Sequence, residues 1–214
     1  MNAKAKKGKS EGGESGIIHE LFEHQLQDIF WAEQELTKFM PQVVKQISSE
    51  ELINTIQDHM KITENQVSRL ENIFELLGVE AKGKKCDGME GLIKEAKSII
   101  DESDKGIVRD AFIIGAIQKM EHYEMASYGT LKSLSTIIGE YEIASLLGET
   151  LDEEKEADMN LTEVAENMVN IEASRESGEL EESVEFEEKE ESEEDYDEME
   201  RPGHSKSKSG ARSR

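Results

Sequence analysis

Four segments of this chain repeat apolar residues in alternating steps of three and four, which is the period of one face of an α-helix. The first stripe is Phe22, Leu26, Ile29, Glu33, Leu36, Met40, Val43 and Ile47. The second is Leu52, Ile56, His59, Thr63, Gln66, Leu70, Ile73 and Leu77. The third is Ala111, Ile114, Ile117, Glu121, Glu124, Tyr128 and Leu131. The fourth is Ile143, Leu147, Leu151, Glu154, Asp158, Leu161, Val164 or Ala165, and Met168. A chain with four such stripes buries them by packing helix on helix.

The connections choose the topology. Pro41 is expected to kink the first helix or to interrupt its hydrogen bonding. Ser48 and Glu51 fit a capping box for the second helix, so the first connection is expected to be only one or two residues and the pair antiparallel. The second helix is expected to stop at Gly78, and about 30 residues separate it from Gly106. That stretch contains a short amphipathic segment, Met89–Ile100, with Leu92, Ile93, Ala96, Ile99 and Ile100 on its apolar face. The third helix is predicted from Val108 to Ile138 with Gly139 as its stop, and the fourth from Tyr141 to Ile171. Two hairpins joined by one long crossover make an all-α, ferritin-like four-helix bundle; an up-down-up-down bundle needs a short second connection.

Charge separates the core from its flanks. The 214 residues carry a formal net charge of -24. Residues 1–16 read as a basic disordered arm, and residues 17–174 as the bundle. Residues 175–200 hold 15 acidic and two basic residues, too few apolar groups to offset ordering entropy, and read as a disordered acidic tail. Residues 201–214 form a basic end rich in Ser, Lys and Arg. Such an acidic chain lacks the cationic face that phosphate binding needs, so no nucleic-acid partner is expected. No apolar run approaches the length of a membrane span, so no membrane partner is expected either. The single cysteine, Cys86, excludes an intramolecular disulfide framework and a cysteine-based zinc site; a cytoplasmic setting is expected. The acidic tail is either a solvated entropic chain or a surface for a basic protein partner.

Each stripe is interrupted near its middle by polar groups. Counted from the first turn, Glu33 and Thr63 lie at matching heights, with His59 within about 6 Å of that level. Counted from Gly139, Glu124 matches Glu154 and Glu121 matches Asp158. Chance would scatter these positions, and a buried carboxylate needs a cation or a partner. Glu121 and Glu124 at i,i+3, and Glu154 and Asp158 at i,i+4, each share a helix face. Several carboxylates and an imidazole at one height suit two divalent metals such as iron or manganese. The candidate ligands are Glu33, His59, Glu121, Glu124, Glu154 and Asp158. Tyr128 and Thr63 are expected to support them, and His122 to flank the site. Two plainer readings stand beside this one: some of these carboxylates face solvent, and His59 is a hydrogen-bonded core histidine.

The stretches DIFWAEQEL (28–36), DHMKITENQVSRLENIFELLG (58–78), EHYEMASYGTL (121–131) and TLDEEKEADMNL (150–161) resemble the YciF/YciE-type ferritin-like stress proteins of bacteria. The resemblance spans roughly residues 17–172. Through the family's relatives, rubrerythrin and ferritin, it implies a di-iron or di-manganese site with oxidase- or peroxidase-like chemistry. Carried over by position, Glu33 is the first-helix ligand and His59 the second-helix histidine. Glu121 and Glu124 are the third-helix carboxylates, and Glu154 the fourth-helix carboxylate. Rubrerythrin-like helices carry Glu-x-x-His on the second and fourth helices. Here position 56 is Ile and position 157 is Ala, with Asp158 standing in for the histidine.

Two functional expectations follow. One is a dimetal stress protein reacting with oxygen or peroxide. The other is a non-catalytic helical homodimer whose polar belt specifies register and whose acidic surface serves solubility or partner binding.

Overall fold

The computed structural model describes residues 16–178. The chain divides into two units, residues 1–173 and 174–214, and the first contains the bundle. Apart from Gly16 and residues 175–178, the expected basic arm, acidic tail and basic end lie outside the described residues.

The first two apolar stripes build α1 (Ile17–Val44) and α2 (Glu50–Leu77). The crossover carries α3 (Asp87–Glu102), and the second hairpin is α4 (Ile107–Ile138) and α5 (Tyr141–Val164). A π-helical turn at Ala165–Val169 and α6 (Asn170–Ser177) follow, where one unbroken helix to Ile171 is expected from the sequence. No strand occurs among the described residues. The four long helices close a ring: α1 packs on α2, α2 on α5, α5 on α4, and α4 on α1, with α3 lying against α4. The all-α, ferritin-like bundle with one long crossover is the observed architecture.

The core is the sum of the stripes. Phe22, Leu26, Ile29, Leu36, Met40 and Val43 of α1 are at most 1% exposed, and Leu52, Ile56, Leu70 and Ile73 of α2 meet them. Phe30 and Phe74 make an edge-to-face pair with ring centroids 5.3 Å apart, one contact that sets α1 on α2. Leu77 is only half-buried and Phe74 takes its place in the core.

Helix ends follow local chemistry. Gly78 (φ 70°) and Gly139 (φ 88°) occupy the left-handed region that favours glycine. The backbone N–H groups of Val79 and Glu140 reach back to Phe74 O and Ser135 O, satisfying last-turn carbonyls. The second hairpin is therefore tight, with only Gly139 and Glu140 between its helices. α1 runs on through Pro41 to Val44.

The first turn departs from expectation. It spans Lys45 to Ser49, and the cap of α2 is Ser49, whose hydroxyl accepts from Leu52 N. The reason lies 61 residues away in sequence. Asp110 of α4 is fully buried, and its Oδ2 accepts from Ser48 N at 2.9 Å and Ser49 N at 2.7 Å. That anchor holds both serine amides outside the helix and ties the first turn to the second hairpin. Replacing Asp110 with alanine strips these two N–H groups of their acceptor. We expect a loss of about 3 kcal/mol, or roughly 6–12 °C in Tm, measured by thermal unfolding. A change smaller than a degree or so would refute this account of the turn.

Candidate metal centre

The middle of the bundle is where the stripes stop being apolar. Glu33 on α1, Glu121 and Glu124 on α4, and Glu154 on α5 are each 0–1% exposed, and His59 on α2 is 7% exposed. Helical spacing brings them there: Glu33 follows Ile29 and Glu121 follows Ile117 on the inward face, each four residues on. The four helices thus deliver five polar side chains to one buried zone.

Their contacts are close and incomplete. His59 Nε2 lies 3.3 Å from Glu121 Oε1 and 3.9 Å from Glu154 Oε2, without hydrogen-bond alignment. Each of these three residues offers a ligand atom within 4.8 Å of the other two. Across the zone, Tyr128 Oη donates to Glu33 Oε1. Thr63 donates to the His59 carbonyl at 3.2 Å. Both ring nitrogens of His59, both oxygens of Glu121 and Glu154, Oε2 of Glu33 and Oε1 of Glu124 have no hydrogen-bond partner. Buried polar atoms in native proteins are nearly always paired, so this concentration of orphans is what a bound cation would satisfy. Hard carboxylate oxygens with one imidazole suit iron or manganese. The donors present fit such a group.

The electrostatics agree. Burial pushes the Glu33 carboxyl up to about 7, against the opposing hydrogen bond from Tyr128. Burial, then the charge of Glu33, drives the Glu124 and Glu154 carboxyls well above the ordinary range. Burial acts to lower the imidazole of His59, but the charge and contact of Glu121 outweigh it and the net direction is up. In the metal-free protein these groups bind protons more tightly folded than unfolded. The stabilising contribution of the three carboxyls is present below their unfolded value near 4.5 and is lost as pH rises through about 7 and above. The metal-free chain should therefore be less stable at pH 8 than at pH 5 by on the order of a few kcal/mol, and melt at a lower temperature. Differential scanning calorimetry in chelator checks this, and a Tm that climbs across that interval would contradict it.

Asp158 does not join the buried zone. On α5 the inward residues are Glu154, Ala157 and Leu161, and Asp158 is turned about 100° from Ala157. Its side chain is 20% exposed, accepts from Gln118 Nε2 at 3.2 Å and lies 3.3 Å from Nδ1 of the exposed His122. His122 flanks the outside of the helix pair.

Two residues escaped the sequence reading. Arg69 grips Glu153 with two nitrogens, Nη1 to Oε2 at 2.7 Å and Nη2 to Oε1 at 2.8 Å, and Nη1 also reaches Thr150. Gln66 Nε2 donates to the same Glu153 oxygen at 3.1 Å. The Glu153 carboxyl stays below its usual range although burial pushes it up, because Arg69 and Gln66 hold its charged form. This clamp joins α2 to α5 beside the belt. The only hint in the sequence is an arginine one step off the apolar stripe, which by itself reads as solvated.

An all-helical bundle whose four long helices converge on buried carboxylates and an imidazole is a ferritin-like protein. The family model described as "Domain of unknown function (DUF892)" matches residues 18–174, and the chain belongs to that family. It is 41% identical to Protein YciF of Escherichia coli (strain K12) over 161 residues, covering 75% of this chain and 97% of YciF. The crystal structure of the E. coli stress protein YciF superposes with a TM-score of 0.69, at 41% identity, over 73% of this chain and 99% of that one. The structure of YcfI from Rhodopseudomonas palustris gives a TM-score of 0.65 at 37% identity, over 68% of this chain and 92% of that one. Among the described residues no helix is long and apolar enough to cross a membrane.

Proposed function

We propose that the belt holds two divalent transition metals, iron or manganese, and that the protein serves a stress response by reacting with oxygen or peroxide. The observation that carries this reading is the buried charge. Four carboxylates at 0–1% exposure bring up to four negative charges into the core, and two divalent ions balance them. Glu33, His59, Glu121, Glu124 and Glu154 are the residues that would hold the pair. When bound, the metals would supply the electrons and Lewis acidity for reducing a small oxidant.

The chain's own residues prepare the site. Tyr128 orients Glu33 through its hydroxyl and leaves Oε2 free to ligate. Thr63 ties itself to the His59 backbone one turn away. The Arg69 clamp holds Glu153 outside the ligand set. A cytoplasmic homodimer belongs to the same reading, with exposed apolar residues such as Phe112, Ile137 and Tyr141 as surface that a second copy would cover.

A second reading has one observation in its favour. Tyr128 donates to Glu33 Oε1, so part of the belt is satisfied internally. On that reading the belt specifies helix register in a non-catalytic protein.

Metal content decides between them. Untagged full-length protein from cells grown with iron and manganese is analysed by mass spectrometry. About two transition metals per chain support the dimetal site, by analogy with carboxylate bundles. A stably folded chain without metal supports the structural belt.

A further inference from the structure

The belt approaches the surface on one side. A cleft of about 420 Å³ opens between α2 and α5, and His59 forms part of its wall. Its inner lining is apolar, with Met40, Ile56, Ile117 and Leu161. Its acidic lining residues are Glu51, Asp58, Glu153, Glu156 and Glu163, and no lysine or arginine lines it. Arg69 already engages Glu153 and Lys61 pairs with Asp58 at 2.7 Å, but Glu51, Glu156 and Glu163 are exposed around the rim. One sign of charge above a low-dielectric floor focuses a field that concentrates cations.

His59 adds an observation independent of that charge. It is more than nine-tenths buried, neither of its ring nitrogens has a hydrogen-bond partner, and its Nε2 lies against Glu121. The same imidazole therefore touches both the cleft and the carboxylates. Ala157, one turn beyond Glu154, also lines the cleft, so its small side chain keeps the space open beside the belt. A divalent ion with six waters needs about 180 Å³, at roughly 30 Å³ per water, and the cleft accommodates it.

We propose that this cleft is the access route by which hydrated divalent cations reach the belt, with His59 as its inner wall. The inference rests on the dimetal reading. The rim carboxylates raise the local concentration of cations, and the inner wall of Ile56, Ile117 and Leu161 holds no oxygen ligand between the rim and His59. Water is shed where His59 and the buried carboxylates begin. A neutral oxidant gains nothing from the rim charge, which separates cation access from oxidant access.

The test measures loading kinetics on the full-length, metal-free chain, with cobalt(II) as the probe and its visible absorption followed by stopped flow. One variant neutralises the rim: Glu51→Gln, Glu156→Gln and Glu163→Gln together. It should load about tenfold more slowly at low ionic strength, lose most of the salt dependence of the rate, and reach the same final stoichiometry. A second variant, Ala157→Leu, narrows the cleft and should slow loading even at high salt, where rim charge is screened. A rate within about twofold of the unaltered chain in either variant overturns the access route while leaving the dimetal reading intact. An unaltered chain that takes up no cobalt overturns the dimetal reading and the route with it.

Discussion

Adding manganese(II) to the metal-free chain at pH 7.5 should raise its Tm by about 16–32 °C when both sites fill. Ligand at a thousandfold excess over its dissociation constant stabilises by about 4 kcal/mol per site, and each kcal/mol moves a domain of this size by roughly 2–4 °C. The source of the effect is visible in the core. Without a cation, burial and mutual repulsion push the carboxyls of Glu33, Glu124 and Glu154 toward the protonated form, and eight donor atoms of the belt lack partners. A pair of divalent ions satisfies the donors and balances the charge. The gain should grow as pH rises, because protons compete with metal for the same oxygens. Thermal unfolding with and without metal, at pH 6 and pH 8, reads this directly. An unchanged Tm at both pH values would remove the metal site and leave the structural belt.

The double substitution Glu121→Gln with Glu154→Gln should have two opposite consequences. These are the two carboxylates that face His59, at 3.3 and 3.9 Å. Converting both to amides removes two anionic ligands, and metal affinity should fall by at least about 100-fold. The metal-free variant should nonetheless melt higher than the unaltered chain at pH 8. The Glu154 carboxyl, which burial and the charge of Glu33 push toward its protonated form, is replaced by a neutral amide, and the repulsion with Glu33 and Glu124 is relieved. Isothermal titration with manganese(II) and calorimetry of the metal-free proteins give the two readings. Loss of affinity together with loss of fold would instead mean that the belt's pairing holds the bundle together.

The helices were legible because burial of one face imposes its period on the sequence. The α1 stripe from Phe22 to Val43 is buried throughout, and the interruptions at Glu33, His59, Glu121, Glu124 and Glu154 are buried with it. Their common height was legible too, since rise per residue converts distance from a turn into a position along the bundle. Where the sequence misled, two choices looked equal within one helix. Ala157 and Asp158 both lie near the Glu154 face, and only the packing of α5 against α4 turns Asp158 toward Gln118. Ser48 and Ser49 are equally good caps, and Asp110 of α4 settles which is used.

The sequence by itself determined the period of each helix, the glycine stops at Gly78 and Gly139, the long crossover, and the set of polar residues that interrupt the core. These are properties of single segments, set by side-chain spacing and local backbone preference. Only the tertiary structure decided which polar residues meet. The His59–Glu121 approach, the Tyr128–Glu33 hydrogen bond and the Arg69–Glu153 clamp each join different helices. Such contacts depend on how each helix is rotated about its own axis, and that rotation is fixed by packing against neighbours rather than by the period of its own stripe.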